Sequence, residues 1–357
     1  MAAQIEWKQE LRSYLPWTTS PLIMNAPMGG FAWASLATSV SQSGGLGFIG
    51  SLSDMSQLRT ELTQARDTFK ASSTDSIATS STLPLGIGFL VFVCKLEEVA
   101  PVVAEFKPAV VWLFAAKELA DYQVWAEKLR EASPQTKVWV QLGNVGSAVT
   151  VARTAKPDAL CLQGADAGGH GFEAGSGIIS LLPEATDALR REGLGHIPLL
   201  ASGGIADGRG VAAALALGAA GVVMGTRFLA SKEVIIHPRW QEAVLEAEDG
   251  GQATKRSKLF DQLRGPNIWP EGYDGRSLIM RSYKDYVQGV SLEEIQRLHN
   301  EAVKGEDKGY ATGGNGRAAI WAGAGVGIVK EIEAAADIVD KVRTEAKEVL
   351  RQLSSLV

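Results

Sequence analysis

The sequence predicts an α/β protein built on a closed (β/α)8 TIM barrel, with a helical and loop insertion after the eighth strand. Three observations carry that expectation. Short apolar runs alternate with helical patterns at the spacing of repeated β/α units. Most of the runs are almost continuously hydrophobic, as parallel strands buried on both faces must be. Two consecutive glycine turns then close the series, where a barrel of this kind usually holds a phosphate. A doubly wound open sheet is the competing architecture.

The first run, residues 22–26, ends in Asn25-Ala26-Pro27-Met28-Gly29-Gly30. Pro27 removes an N–H and fixes φ, while the glycines permit a tight turn. This places backbone groups and the Met28 side chain at the barrel mouth, although the motif alone reads equally well as an ordinary β/α turn. Runs 45–49, 85–91, 109–114, 138–142 and 159–163 follow. Residues 55–70 and 117–131 have the mixed apolar and charged spacing of surface helices. The Ser/Thr-rich stretch 71–83 reads as an exposed loop. Gly86, Gly88 and Gln141 are small or polar at strand ends and could face a ring system.

The sixth run opens into Gln163-Gly164-Ala165-Asp166-Ala167-Gly168-Gly169-His170-Gly171. A histidine in a Gly-rich loop at the carboxyl end of a barrel strand points into the mouth. Imidazole can move a proton near neutral pH or hydrogen-bond a developing anion. His170 is therefore the catalytic candidate, set against the plainer reading of a loop histidine that caps the next helix. Asp166 and Glu173 flank it and are more simply neighbours than participants.

The seventh run, 198–201, leads into Ser202-Gly203-Gly204-Ile205-Ala206-Asp207. The eighth, 221–224, leads into Gly225-Thr226-Arg227, and the Ala-rich helical stretch 210–218 joins them. Glycines let a backbone approach an anion and adopt positive φ. Helix N-termini add unpaired N–H groups and the positive dipole end. The two turns together point to a phosphate-bearing cofactor or substrate.

Beyond residue 230 the pattern changes to charged helical segments, 240–248 and 292–304, separated by loops such as Gly265-Pro266-Asn267. We read 231–310 as an insertion or lid subdomain over the active-site mouth, with 1–230 and 311–357 forming the barrel. Trp321-Ala322-Gly323-Ala324-Gly325-Val326-Gly327 and a helix over 329–353 close the chain.

Composition narrows the function classes. The chain has 357 residues, 46% hydrophobic and 21% charged, as a globular enzyme with a large core does. A net charge of -5 argues against a nucleic-acid or acidic-membrane surface. Cys94 and Cys161 lie in apolar runs and read as reduced core thiols. The first residues lack a secretory leader and no apolar run could span a bilayer, so a cytoplasmic protein is expected. His196 reads as structural, at the barrel's far end, and His237 and His299 as surface or lid residues. No His/Cys/carboxylate spacing suits a metal, and no serine stands in a nucleophile elbow. The nine tryptophans are scattered and read as packing.

Taken in order, these motifs resemble the nitronate monooxygenase family, formerly called 2-nitropropane dioxygenases. The resemblance runs from Pro21 to about Val329. It is carried by Asn25-Ala26-Pro27-Met28-Gly29-Gly30, Gly168-Gly169-His170, Ala201-Ser202-Gly203-Gly204-Ile205-Ala206-Asp207-Gly208-Arg209-Gly210 and Met224-Gly225-Thr226-Arg227-Phe228. It implies an FMN-dependent barrel that converts alkyl nitronates, or nitroalkanes, with O2 into a carbonyl compound and nitrite. By resemblance Ala26, Pro27 and Met28 would line the flavin ring. Gln141, where relatives often have lysine, and Gln163, where they often have an acid, would lie near the ring or ribityl chain. Gly168 would meet the cofactor through its backbone. Ser202, Gly203, Gly204, Gly225 and Thr226 would cradle the phosphate, and His170 would act on the nitro or nitronate group. The residues 165–169 and the two glutamines depart from better-known bacterial relatives, which bears on flavin potential and substrate choice more than on FMN binding. The small-residue run at 321–325 would pack back near the cofactor.

Other readings keep the barrel and change the chemistry. An FMN-dependent enoyl reductase or NAD(P)H:quinone reductase would take a hydride from a pyridine nucleotide. A flavin oxidoreductase of secondary metabolism would use the insertion as its pocket. A phosphate-binding isomerase or aldolase would need no flavin, but no lysine stands at a strand end to form a Schiff base. A homodimer is left open.

Overall fold

The computed structural model describes residues 2–72 and 74–355. Eleven strands follow one another as β1 Leu22–Asn25, β2 Phe48–Gly50, β3 Leu83–Leu90, β4 Pro108–Phe114, β5 Lys137–Leu142, β6 Ala159–Gln163, β7 Gly169–Phe172, β8 Leu199–Ser202, β9 Gly221–Met224, β10 Thr254–Ser257 and β11 Tyr273–Leu278. Eight of them form one parallel sheet in the order β1-β9-β8-β6-β5-β4-β3-β2, which is the predicted barrel. Each of the eight apolar runs coincides with one of these strands, the ends differing by a few residues.

The seam between β1 and β2 closes the barrel with little backbone pairing. Isolated parallel bridges join Met24 to Leu46 and Gly29 to Gly50. Asn25, with no exposed surface, completes the closure with its side chain. Its Oδ1 accepts from the Phe48 N–H at 2.9 Å, and its Nδ2 donates to the Phe48 carbonyl at 2.8 Å. One amide thus supplies the donor and the acceptor that a paired strand residue would have offered.

Inside the barrel, the Phe48 ring packs edge-on to Trp112 at 5.2 Å, and Trp112 lies 6.4 Å from Trp139. Gly86 makes this possible, because a Cβ there would fall 2.1 Å from the Phe48 ring. The interior of the barrel is therefore a packed core.

The surface helix at 55–70 is found as Met55–Lys70, started by Asp54, whose Oδ1 accepts from the Ser56 and Gln57 amides. Residues 71–83 include a short helix, Asp75–Ala78, with Ile77 buried, and Leu83 already begins β3. Ser73, part of the expected loop, and Met1, part of the expected leader-free start, lie outside the described residues. The last helix, Ala335–Ser354, packs on the helix Gly208–Ala216. Its Arg343 guanidinium donates to the carbonyls of Ser43 and Gly44 at 3.0 and 2.9 Å. Among the described residues no helix is long and apolar enough to cross a membrane.

A second sheet was not expected. β7, β11 and β10 pair antiparallel, with Gly275 opposite His170. The stretch read as a loop around His170 is in fact a strand from Gly169 onward. Gly-His-Gly carries no alternation, so the segment becomes a strand only because β11, far along the chain, offers it a ladder. This sheet ties the excursion after β6 to the segment 231–310. That segment has a small core of its own in Leu259, Phe260, Leu263 and Ile295. His299 is buried there, 2% exposed, rather than lying on the surface as the charged pattern of its helix suggested.

Candidate active site

Two glycine turns and a late glycine segment converge at one side of the barrel mouth. Gly203 and Gly204 have φ of 102° and 75°. A Cβ at Gly203 would stand 2.7 Å from the Gly164 carbonyl oxygen, and one at Gly204 would stand 3.0 Å from the Asp166 Cβ. The turn after β8 is thus wedged against the turn after β6, and the Ser202 carbonyl accepts from the Gly164 amide at 2.8 Å. Gly225 differs: a Cβ there would meet only Ala26 Cβ at 3.6 Å and Met28 Sδ at 3.9 Å. The chain after the insertion returns to this point. The Gly323 amide donates to Thr226 Oγ1 at 2.9 Å, and the Ala324 amide to the Asp166 carbonyl at 2.9 Å. Gly168 lies under that return, its missing Cβ leaving room for the Ala322 carbonyl carbon, which would be 2.4 Å away. Thr226 accepts from Gly323, so its own hydroxyl proton is free to point into the cradle.

The floor of the mouth is made by Ala26, Pro27, Met28 and Gln141. The Ala26 amide donates to the Met224 carbonyl at 2.9 Å, fixing the turn to β9. Pro27 fills the space that Gly88 leaves, where a Cβ would come within 2.4 Å of the Pro27 ring. Gln141 is 7% exposed and its Oε1 accepts from Trp112 Nε1–H at 3.0 Å. An indole N–H can only donate, so the amide orientation is decided and Nε2 is the end left to face a ligand. Gln163 has another duty: its Nε2 donates to the His170 carbonyl at 3.1 Å, pinning β7 to β6.

His170 lies two residues beyond Gly168, on β7. Its ring stacks on Trp269 at 3.6 Å and 10°, and Trp321 leans on it at 4.7 Å and 55°. Nε2 meets Asp261 Oδ1 at 2.5 Å, with the Asp261 side chain only 5% exposed. Trp269 continues into an aromatic wall, with Phe92 at 4.8 Å and Tyr273 at 6.3 Å, and Tyr273 lies 5.0 Å from Phe172. Nearby charges are held in pairs. Arg256 Nε donates to Asp274 Oδ1 at 2.7 Å, Lys258 pairs with Glu173 at 2.8 Å, and Arg276 Nη2 donates to the Ala165 carbonyl at 3.1 Å. Burial, with Arg256 close by, lowers the Arg276 guanidinium below its ordinary range. Burial pushes the Cys94 thiol up to about 11 and the Cys161 thiol well up, as expected of inert core thiols. Among the described residues no cluster of His, Cys, Asp and Glu could hold a metal.

Asp166 and Glu173 do not touch His170, while Asp261, Trp269 and Trp321 do. Asp261 stands 91 residues further on, in a short helix with no motif, and nothing in the sequence marks it. Trp269 follows Gly265-Pro266-Asn267-Ile268, a loop too rich in turn residues for an ordinary core tryptophan; that was the available signal. His237 caps the helix Pro238–Glu246 through Nδ1, which accepts from the Arg239 amide at 3.2 Å.

A closed parallel barrel with glycine turns packed together after β6, β8 and β9, and an imidazole held by Asp261 and Trp269, is the layout of a barrel enzyme. The chain belongs to the nitronate monooxygenase family, whose model matches residues 126–345, and it is an oxidoreductase. It is 44% identical to nitronate monooxygenase npaC of Metarhizium robertsii, over 97% of this chain and 96% of that protein. It is 37% identical to the nitronate monooxygenase of Neurospora crassa, over 97% and 94%. Among solved structures, FabK from Thermotoga maritima superposes with a TM-score of 0.73 at 25% identity, covering 97% of this chain and 98% of that one. A nitroalkane oxidase from Streptomyces ansochromogenes has the same fold, with a TM-score of 0.70 at 23% identity over 93% and 97%.

Proposed function

We propose that the protein binds FMN and uses O2 to convert alkyl nitronates, and nitroalkanes after loss of a proton, into carbonyl compounds and nitrite. The observation that carries this reading is the convergence of the turns at Gly203, Gly204 and Gly225 with Gly323 and Gly168, two residues before His170. The cradle suits a phosphate because side chains are excluded from it and the Thr226 hydroxyl faces inward. Gly168 supports it from below, and the Ser202 carbonyl locks two of the turns together. Ala26, Pro27 and Met28 offer an apolar edge to the flavin ring, and Gln141 Nε2 a donor to one of its polar edges. FMN, when bound, supplies the electron-accepting chemistry that makes a nitronate reactive toward oxygen. The chain's own groups do the rest. His170 holds the nitronate oxygens, or removes the α-proton of a neutral nitroalkane. Residues 231–310, as a lid, keep water from the reacting carbon through Trp269 and its aromatic neighbours.

The test is a visible spectrum of purified protein with identification of the released flavin, followed by a nitrite assay with propyl 2-nitronate. A yellow protein containing FMN and forming nitrite is expected. A colourless protein, or a yellow one that is bleached rapidly by NADH or NADPH under anaerobic conditions and makes no nitrite, overturns it.

A further inference from the structure

Asp261 is a buried acid whose placement nothing in the fold requires. It sits in the four-residue helix Leu259–Gln262, with Ser257 Oγ accepting from the Leu259 amide at 3.1 Å. Gln296 Nε2 donates to the Gln262 carbonyl at 2.7 Å, holding the helix from the far side. Leu259 and Phe260 are anchored in the small core with Ile295, so the carboxylate is presented by a rigid mount. One oxygen, Oδ1, meets His170 Nε2 at 2.5 Å; the other, Oδ2, is buried with no hydrogen-bond partner. A buried acceptor left unmatched is costly, so such a group in a folded protein calls for a reason. Other acids near the histidine are engaged elsewhere: Glu173 with Lys258, Asp274 with Arg256, and Asp166 packed against Gly204.

We propose that Asp261 is a positioning residue for proton abstraction from neutral nitroalkanes, acting through His170. The proposal rests on the functional reading above and adds a division of labour to it. An ionised carboxylate only accepts, so Nε2 must carry the hydrogen and Nδ1 keeps the lone pair. In the step, the substrate Cα–H bond breaks, its electron pair moves onto the nitro group, and the proton joins Nδ1. The neutral nitroalkane becomes a nitronate anion and the imidazole an imidazolium, so charge is conserved. Asp261 fixes the tautomer beforehand and faces the new positive charge afterwards, while the Trp269 stack stops the ring from turning. A nitronate arrives already deprotonated and skips this proton transfer, while a protonated imidazole can still hydrogen-bond its oxygens.

The experiment uses flavin-loaded enzyme and two probes, 2-nitropropane and propyl 2-nitronate. It compares wild type, Asp261→Asn, Asp261→Glu, His170→Asn and the double variant Asp261→Asn/His170→Asn. For Asp261→Asn, kcat on 2-nitropropane should fall about a hundredfold with KM little changed, as loss of general-base organisation does. Its rate on the nitronate should fall at least about tenfold less than its rate on 2-nitropropane, because the nitronate skips the proton-transfer step. Asp261→Glu, which keeps the charge, should recover at least about a tenfold part of the loss. In the His170→Asn background, adding Asp261→Asn should cost nothing further, because the residue acts only through the imidazole. Equal losses on both probes, a Glu variant no better than Asn, or an additive cost in the double variant would each overturn the proposal. A wild-type enzyme that makes no nitrite from either probe instead brings down the parent reading, and this one with it.

Discussion

The two parts of the candidate site, the glycine turns and the surroundings of His170, are built in opposite ways. The cradle side is backbone: glycine turns directly after β8 and β9, stacked on the turn after β6 and on Gly323. The histidine side is side chains gathered from three distant segments, with His170 on β7, Asp261 and Trp269 from the insertion and Trp321 from the returning chain. A backbone site tolerates little change in shape but has no titrating group of its own. A side-chain site depends on the segment 231–310, which is held by separate contacts of its own. Substitutions on the two sides should therefore separate flavin binding from turnover.

The largest effect expected is from His170→Asn. Flavin content should stay at wild-type stoichiometry while turnover of a neutral nitroalkane falls by roughly 10²–10⁴, the usual contribution of a positioned acid–base group. Unchanged turnover would remove His170 from the reaction. On the cradle side, Gly203→Ala places a Cβ at 2.7 Å from a carbonyl oxygen on a backbone with φ of 102°. Strain of about 1–3 kcal/mol should weaken flavin binding about ten- to hundredfold, read by equilibrium dialysis or fluorescence titration. Reconstituted variant should then turn over normally; flavin bound as tightly as in wild type would mean that the cradle lies elsewhere.

A smaller effect is expected where the two sides meet the lid. Trp269→Ala removes the ring stacked on His170, and an aromatic pair contributes about 0.5–1.5 kcal/mol beyond its buried area. KM for the nitroalkane should rise about three- to tenfold with flavin content unaffected. A fall in flavin content would break the separation of the two sides.

The smallest effect concerns the lid core. Burial lowers the pKa of His299, with Arg264 adding to the effect and a hydrogen bond to Asn300 opposing it. The unfolded chain therefore binds a proton at this histidine before the folded one does. The stability linked to this group is fully present above the ordinary histidine range and is lost as pH drops through that range. Denaturant midpoints measured between pH 7.5 and pH 5.5 should decline, and His299→Gln should decline less; identical slopes would contradict the assignment.

What was legible in the sequence follows the same division. The eight barrel strands could be read because each is a local apolar run, and the glycine turns because they directly follow two of them. Asn25-Ala26-Pro27-Met28 likewise lies at the mouth, where its turn chemistry put it. His170 stood out by its glycine surroundings, yet β7 itself did not, because its pairing comes from Tyr273–Leu278. Asp261 was beyond reach for the same reason, its contact being set by a fold of the insertion that no local pattern encodes, and for Trp269 only the turn-rich loop before it was a signal. Gln163 shows the limit most clearly. Its position beside the mouth was readable, but the hydrogen bond to the His170 carbonyl depends on where β7 lands.

A crystal structure of the flavin-loaded enzyme tests the central claim most directly. The account predicts the phosphate within hydrogen-bonding distance of the amides of Gly203, Gly204 and Gly225, and the ring spanning from Met28 toward His170. A flavin phosphate bound away from these turns, or an imidazole on the side of the mouth opposite the ring, would contradict it.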